Sequence, residues 1–409
     1  MDKLQSEQIL IVLCSLVVLS YVFSMISRYI RIPSVLLLLF AGIGFRALSD
    51  YYHLKISFSE QLVESLGVVG LIMIVLEAGL DLKLEKSKIR LIRDSFFSAL
   101  FIFAISTAFI AFILNYWLHQ PFKNCLAYAI PLSIMSSSII LPSIHPLTEQ
   151  KKEFLVYEAS FSDILGIIAF NFITDNKKLD ALTVGYFGLN IVVSIVLSIV
   201  LSLLLFLILA KTKLNIKFFL IFSLLILIYA GGKLLHLPSL IIILLFGLMI
   251  NNWEKIKLPR LLHYFPHAQI EDLRKLLHSV TAETSFLIRT FFFLIFGFTI
   301  SLTFFSHNEI LLVGSMIVLA LFIVRILYLR FFVRTNLFPE SFFIPRGLIT
   351  IVLFYKIPTE LKLSAFDDGI LFFVILTTSI IMAMAMVFYR KKPEQVVEGG
   401  QFSERSDII

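Results

Sequence analysis

The sequence predicts an all-α polytopic membrane protein of about thirteen transmembrane helices, arranged as six-helix inverted repeats with broken crossing helices at spans 5 and 12. Three observations predict it. Hydrophobic residues make up 59% of the chain and charged residues only 15%, with a mean hydropathy of +0.94, far more apolar than a soluble domain. The apolar residues fall in runs of membrane length. Two stretches of the first half recur, in register, in the second.

The runs are Gln8 to Ile26, Ser34 to Leu48, Leu62 to Leu80, Ser95 to Leu118, Cys125 to Ile144, Phe154 to Ile173, Leu182 to Ala210, Phe218 to Gly232, Leu237 to Ile250, Val280 to Leu302, Ile310 to Leu329, Phe338 to Tyr355 and Ile370 to Tyr389. The second, eighth and ninth are shorter than the ~20 residues that cross hydrocarbon, so they should extend into their flanks or sit among other helices. The first lacks a small-residue cleavage pattern and reads as a retained span. The tail after Tyr389 is short and polar, with no regulatory domain expected.

Loop charge tests the count. Of the 35 Lys and Arg, 23 fall on one side of the expected membrane and 8 on the other; the remaining four, Arg46, Arg289, Arg325 and Arg346, lie within spans. The positive-inside rule then puts the N-terminus outside and the C-terminus in the cytoplasm, in the plasma (inner) membrane. The same distribution explains the net charge of +7 as a topology signal and excludes nucleic acid as a partner. Cys14 and Cys125 both sit in apolar runs, giving no disulfide framework and no metal-ligand spacing. No cofactor is expected, and no nucleophile–base pair points to an enzyme.

Ile32-Pro-Ser-Val-Leu-Leu-Leu-Leu-Phe-Ala-Gly42 in the second span echoes Leu237-Pro-Ser-Leu-Ile-Ile-Ile-Leu-Leu-Phe-Gly247 in the ninth, and Gly79-Leu-Asp-Leu in the third echoes Gly297-Phe-Thr-Ile in the tenth. Each pair is seven spans apart, an odd number, so the halves cross the membrane in opposite directions. Breaks are expected at matching places: the fifth span carries Pro131, Ser136 to Ser138 and Pro142, and the twelfth carries Pro345-Arg-Gly347. Backbone freed at membrane depth is tolerated where a helix lines a cavity or binds an ion.

The chemistry centres on Glu158-Ala-Ser-Phe-Ser-Asp163 in the sixth span. A carboxylate at mid-membrane is expensive and marks an ion pathway, a proton relay or a paired charge. Asp163 lies close to halfway between the cytoplasmic Lys152 and the outer Thr174. Glu158 lies roughly 7.5 Å nearer the cytoplasm, about 500° around the helix, so the two should have different partners. A buried carboxylate without compensation takes a proton. Arg325 is level with Glu158, while Arg289 and Arg346 lie nearer mid-span. With Glu158 held by an arginine, Asp163 is free to carry a proton or a dehydrated monovalent cation, and mutually exclusive occupancy is antiport. Ser162, Ser136, Ser137 and Ser138 are the hard oxygen donors such a cation needs, although membrane helices also use serine for close packing.

In Arg31-Ile-Pro33, Leu76-Glu-Ala-Gly-Leu-Asp81, Ser136-Ser-Ser-Ile-Ile140, Glu158 to Asp163, Phe291-Phe-Phe-Leu-Ile-Phe-Gly297 and Pro345-Arg-Gly347, the chain resembles the monovalent cation/proton antiporter superfamily over nearly its whole length. The electroneutral branch has Glu-Ser-x-x-Asn-Asp in the sixth span. The resemblance implies that Asp163 carries the ion, that Glu158 pairs with Arg325, and that Arg346 stands at the family's twelfth-span Arg-Gly. It implies a homodimer in the lipid bilayer, exchanging Na+ or K+ for H+. Residues 1–90 and 214–305 would form the dimerisation domain, 91–176 and 306–389 the moving core, 177–213 a linker helix and 390–409 the cytoplasmic tail. Ser162 stands where that branch has Asn, Ala159 where it has Ser, and Ser-Ser-Ile where sodium-specific members have Thr-Asp-Pro. The residues themselves leave open a cation channel and a transport-incompetent sensor on the same scaffold; the first lacks a filter-like tract and the second an output domain.

Overall fold

In hydrocarbon every backbone N–H and C=O must be satisfied inside the segment, so apolar runs fold as helices. A computed structural model describes residues 6–30, 32–52, 60–144, 146–175, 218–234, 239–253, 267–300, 308–333 and 338–389, with scattered positions between 185 and 204. Among the described residues there are thirteen α-helices and no strand. They are α1 (Ser6–Ile30), α2 (Ser34–Tyr51), α3 (Glu60–Asp81), α4 (Ile89–Leu118), α5 (Phe122–Ser133), α6 (Ser137–Ile140), α7 (Glu149–Asp175), α8 (Phe218–Leu234), α9 (Ser239–Asn251), α10 (His267–Thr299), α11 (Asn308–Tyr328), α12 (Leu348–Tyr355) and α13 (Asp368–Phe388). The expected seventh span, Leu182 to Ala210, and the tail from Arg390 lie largely outside the described residues.

Two helix groups are recognisable from who packs on whom: α2 against α10 and α3 against α9 and α10 in one, α4 against α5, α7 and α11, with α11 against α13, in the other. The first group is built on glycine. At Gly42 of α2 an added Cβ would collide with the Leu294 carbonyl of α10, and at Gly297 it would meet the Leu39 carbonyl at 2.5 Å. The pair α3/α9 repeats the arrangement: Gly79 faces the Leu244 carbonyl at 2.6 Å and Gly247 the Leu76 carbonyl at 2.9 Å. In all four cases the carbonyl met is three residues before the partner glycine. The glycines of the two sequence echoes therefore pack on each other, first half against second, where only bare backbone fits.

The second group inverts the soluble pattern. On α4, Ser95, Ser98 and Ser106 are buried, whereas Phe97, Phe101, Ile105, Phe109 and Phe112 are exposed at three- and four-residue spacing. With no water to drive phenylalanine inward, small polar residues make the close contacts and the aromatics face outward.

Spans five and twelve are interrupted as expected, though Pro131 is not the breakpoint. It lies inside α5, and the helix ends two residues later at Ser133. The expected helix Phe338 to Tyr355 is helical only from Leu348; a 3-10 turn at Glu340–Phe342 and extended chain precede it. The two interruptions cross each other. Ser136 N–H donates to the Pro345 carbonyl at 3.0 Å, and a Cβ at Gly347 would run into the Ser136 side chain.

Candidate functional site

Every backbone group freed at the crossing needs a partner, and following those partners assembles the site. From the fifth span, Met135 N–H donates to Ser162 Oγ (2.9 Å) and Ser137 N–H approaches Asp163 Oδ2 (3.4 Å). The Leu132 carbonyl accepts from Arg346 Nε (2.6 Å), and the Ser138 carbonyl accepts from Arg289 Nη1 (3.1 Å). From the twelfth, the Ile344 carbonyl accepts from Arg346 Nη1 (2.7 Å), and Arg346 N–H donates to Thr378 Oγ1 (3.3 Å).

α7 supplies both carboxylates, and they meet different surroundings. Glu158 is 1% exposed. Arg325 donates to it through Nη1 (3.1 Å, to Oε1) and Nη2 (2.8 Å, to Oε2), and the Ser98 hydroxyl donates to Oε1 at 2.6 Å. The third arm of the guanidinium, Nε, donates to the Glu340 carbonyl at 2.7 Å. Burying two charges costs several kcal/mol per ion, on the order of what a forked pair with all its bonds made can return. Both Glu158 oxygens are thus held by charge-assisted or hydroxyl bonds.

Asp163 is 3% exposed. Its Oδ2 accepts from the Ser137 hydroxyl at 2.5 Å, and its Oδ1 has no hydrogen-bond partner. It lines a small cavity, about 10 Å³ and so no larger than one water-sized body, at the seam where α7 meets α3, α9 and the start of α12. The only other polar side chain on that wall among the described residues is Ser160, also without a partner. One group of helices provides the polar end of the cavity, the other its apolar cover.

The remaining sequence candidates take distinct places. Ser162 caps the Met135 N–H and faces a second small cavity with Glu158, Arg325 and Arg346, away from the Asp163 cavity. Ser136 and Ser138 share a hydroxyl bond (2.8 Å) within the crossing. Arg346, 2% exposed, bonds to no carboxylate among the described residues; its guanidinium holds the Leu132 carbonyl at the C-terminal end of α5, where a helix favours positive charge, and the Ile344 carbonyl of the extended chain before α12. Arg289 reaches from α10 to the half-helix α6 and lies 4.0 Å from Glu77 of α3.

Ser98, Ser160 and the Glu340 carbonyl are not among the candidates the sequence singles out. Ser98 had a signal: it shares one helical face with Ser95 and Ser106 in a phenylalanine-rich span. The Glu340 carbonyl had none, because it comes into play only where the twelfth span unwinds.

A family-wide profile described as "Sodium/hydrogen exchanger, transmembrane" matches residues 14–390. Among solved structures, the fold is similar to that of the sodium proton antiporter MjNhaP1 from Methanocaldococcus jannaschii at pH 8, with a TM-score of 0.69 and 20% identity over 93% of this chain and 100% of that one. An electron-microscopy structure of the same antiporter gives a TM-score of 0.66 and 20% identity, covering 95% of this chain and 100% of that one. A comparison with curated protein sequences yields no match. With the profile spanning nearly every described helix, this chain belongs to the sodium/hydrogen exchanger family and is a multi-pass membrane protein of the cation/proton antiport class.

Proposed function

We propose that the protein is an electroneutral secondary antiporter that exchanges one monovalent cation, Na+ or K+, for one proton by alternating access, with Asp163 holding either the proton or the cation and never both. The observation that carries this reading is the contrast within α7. Both oxygens of Glu158 are held by Arg325 and Ser98, whereas Asp163 keeps one oxygen unpartnered at a cavity on the seam between the two helix groups. A single exchangeable carboxylate neutralises one charge per cycle, which makes one-for-one exchange the simplest stoichiometry. The group holding α4 to α7 and α11 to α13 is the moving core. The glycine-packed group is the scaffold through which two copies associate in the inner membrane, N-terminus outside, in the service of pH homeostasis.

Proteoliposomes test this. On addition of Na+, K+ or Li+, the reconstituted protein should dissipate an imposed pH gradient at a rate independent of membrane potential. Asp163→Asn should abolish exchange while leaving the folded yield intact; exchange that persists in Asp163→Asn removes the assignment.

A further inference from the structure

Hydroxyls inside membrane helices usually settle their proton on the carbonyl one turn back. Among the described residues six do so: Ser133, Ser143, Thr174, Thr284, Thr290 and Thr378 each donate to the residue four earlier, at 2.6–2.9 Å. Ser160 does not, and neither do several other buried hydroxyls, Ser106, Thr107 and Ser379 among them; what sets Ser160 apart is that it lines a cavity with Asp163. It is 1% exposed, its Oγ has no hydrogen-bond partner, and it sits three residues before Asp163, on the same face of α7. Its oxygen and Asp163 Oδ1 are the two unpartnered polar atoms on the wall of one water-sized cavity, whose other lining residues, among them Ile74, Ala78, Leu244 and Ile349, are apolar. Two buried oxygens without partners, on residues lining one cavity, are free to donate lone pairs to a dehydrated cation there.

The geometry points to Ser160 Oγ as a ligand of the transported cation, beside Asp163 Oδ1, with Ser162 outside that shell because it lines the other cavity, with Glu158, Arg325 and Arg346. This inference rests on the proposed role of Asp163 and adds to it which hydroxyl helps choose the ion. A dehydrated Na+, Li+ or K+ exchanges hydration oxygens for protein oxygens, so the number and placement of neutral donors set the preference. The residue next in sequence, Ala159, has no oxygen to give. The chain therefore presents its hydroxyl one position, about 100° of helix, further round than a serine at position 159 would.

Exchange measured in proteoliposomes with Na+, K+ and Li+ tests the assignment. Ser160→Ala should raise the apparent KM for the transported cation about tenfold, the factor carried by one good ligand contact, and should change the ratio of rates among the three ions. Ser160→Thr, which keeps the oxygen, should stay within about twofold of the unmodified protein. Ser160→Cys preserves volume but replaces a hard donor with a soft one, and should behave as Ser160→Ala. Unchanged KM and ion preference in Ser160→Ala and Ser160→Cys, with Asp163→Asn inactive, would overturn the ligand role and leave the antiport reading standing. Exchange surviving in Asp163→Asn would overturn both.

Discussion

Helices cross at close quarters in two regions, and the crossings are made from opposite materials. In α2/α10 and α3/α9, glycines let intact helices touch backbone to backbone, and polar side chains join them near the helix ends, Arg46 Nη1 on the Phe298 carbonyl and Asn252 Nδ2 on the Leu82 carbonyl. Between α5–α6 and the stretch before α12, the helices come apart, and serine, aspartate and arginine side chains take up the freed backbone groups. The first kind of crossing frees no backbone group. The second brings charged groups into the membrane, and one carboxylate oxygen and one hydroxyl without hydrogen-bond partners belong to residues lining the same cavity. A rigid crossing and a binding crossing thus follow from the same requirement, that backbone in lipid be satisfied, met by two different sequences.

The contrast can be broken most severely at the Glu158–Arg325 pair. Arg325→Ala leaves a buried carboxylate alone and frees the Glu340 carbonyl, so a loss of about 3–5 kcal/mol is expected, visible as a collapse of folded yield in detergent. Combining Arg325→Met with Glu158→Leu should recover most of that yield without restoring any function the pair has. A smaller effect is expected at the glycine crossings. Gly297→Val forces the Leu39 carbonyl away and should cost about 1–3 kcal/mol, lowering the thermal midpoint. The KM for the cation should not move, because no ligand is displaced. A KM change there would show that the scaffold and the site are not separable.

The smallest effect lies outside the membrane. Lys88, just before α4, donates to Glu153 of α7 at 2.6 Å, and that bond holds the ammonium above its ordinary lysine value. A group raised on folding contributes stability below its unfolded value and loses it as pH rises through the folded one. The contribution, about 0–1 kcal/mol for a partly exposed pair, should therefore be flat from pH 6 to pH 9 and vanish only above about pH 10. Melting curves of Lys88→Gln beside the unmodified protein across that range read it directly.

Particular residues show how far sequence carries. The glycine echoes were legible because close backbone contact admits one residue type, so it leaves a mark at fixed spacing. Asp163 and Glu158 stood out because charge is rare in an apolar run. Ser160 and Ser162 could not be told apart: they are two residues apart in one span, and which of them faces the seam depends on the rotation of α7 against α3, α9 and the fifth-span break. Pro131 misled in a similar way, since a proline late in a helix removes one bond but does not by itself dictate where the helix ends.

By itself the sequence determined the membrane class, the near count of spans, the paired glycine motifs and the two carboxylates of the sixth span, because each is written in local composition that hydrocarbon enforces residue by residue. Only the tertiary structure decided that both Glu158 oxygens are held while Asp163 keeps one without a partner, that Arg346 serves carbonyls and Arg289 the Ser138 carbonyl, and that Ser160 shares a cavity with Asp163. Those are questions of which partner arrives, and partners come from helices up to hundreds of residues away, brought together by packing that no local pattern records.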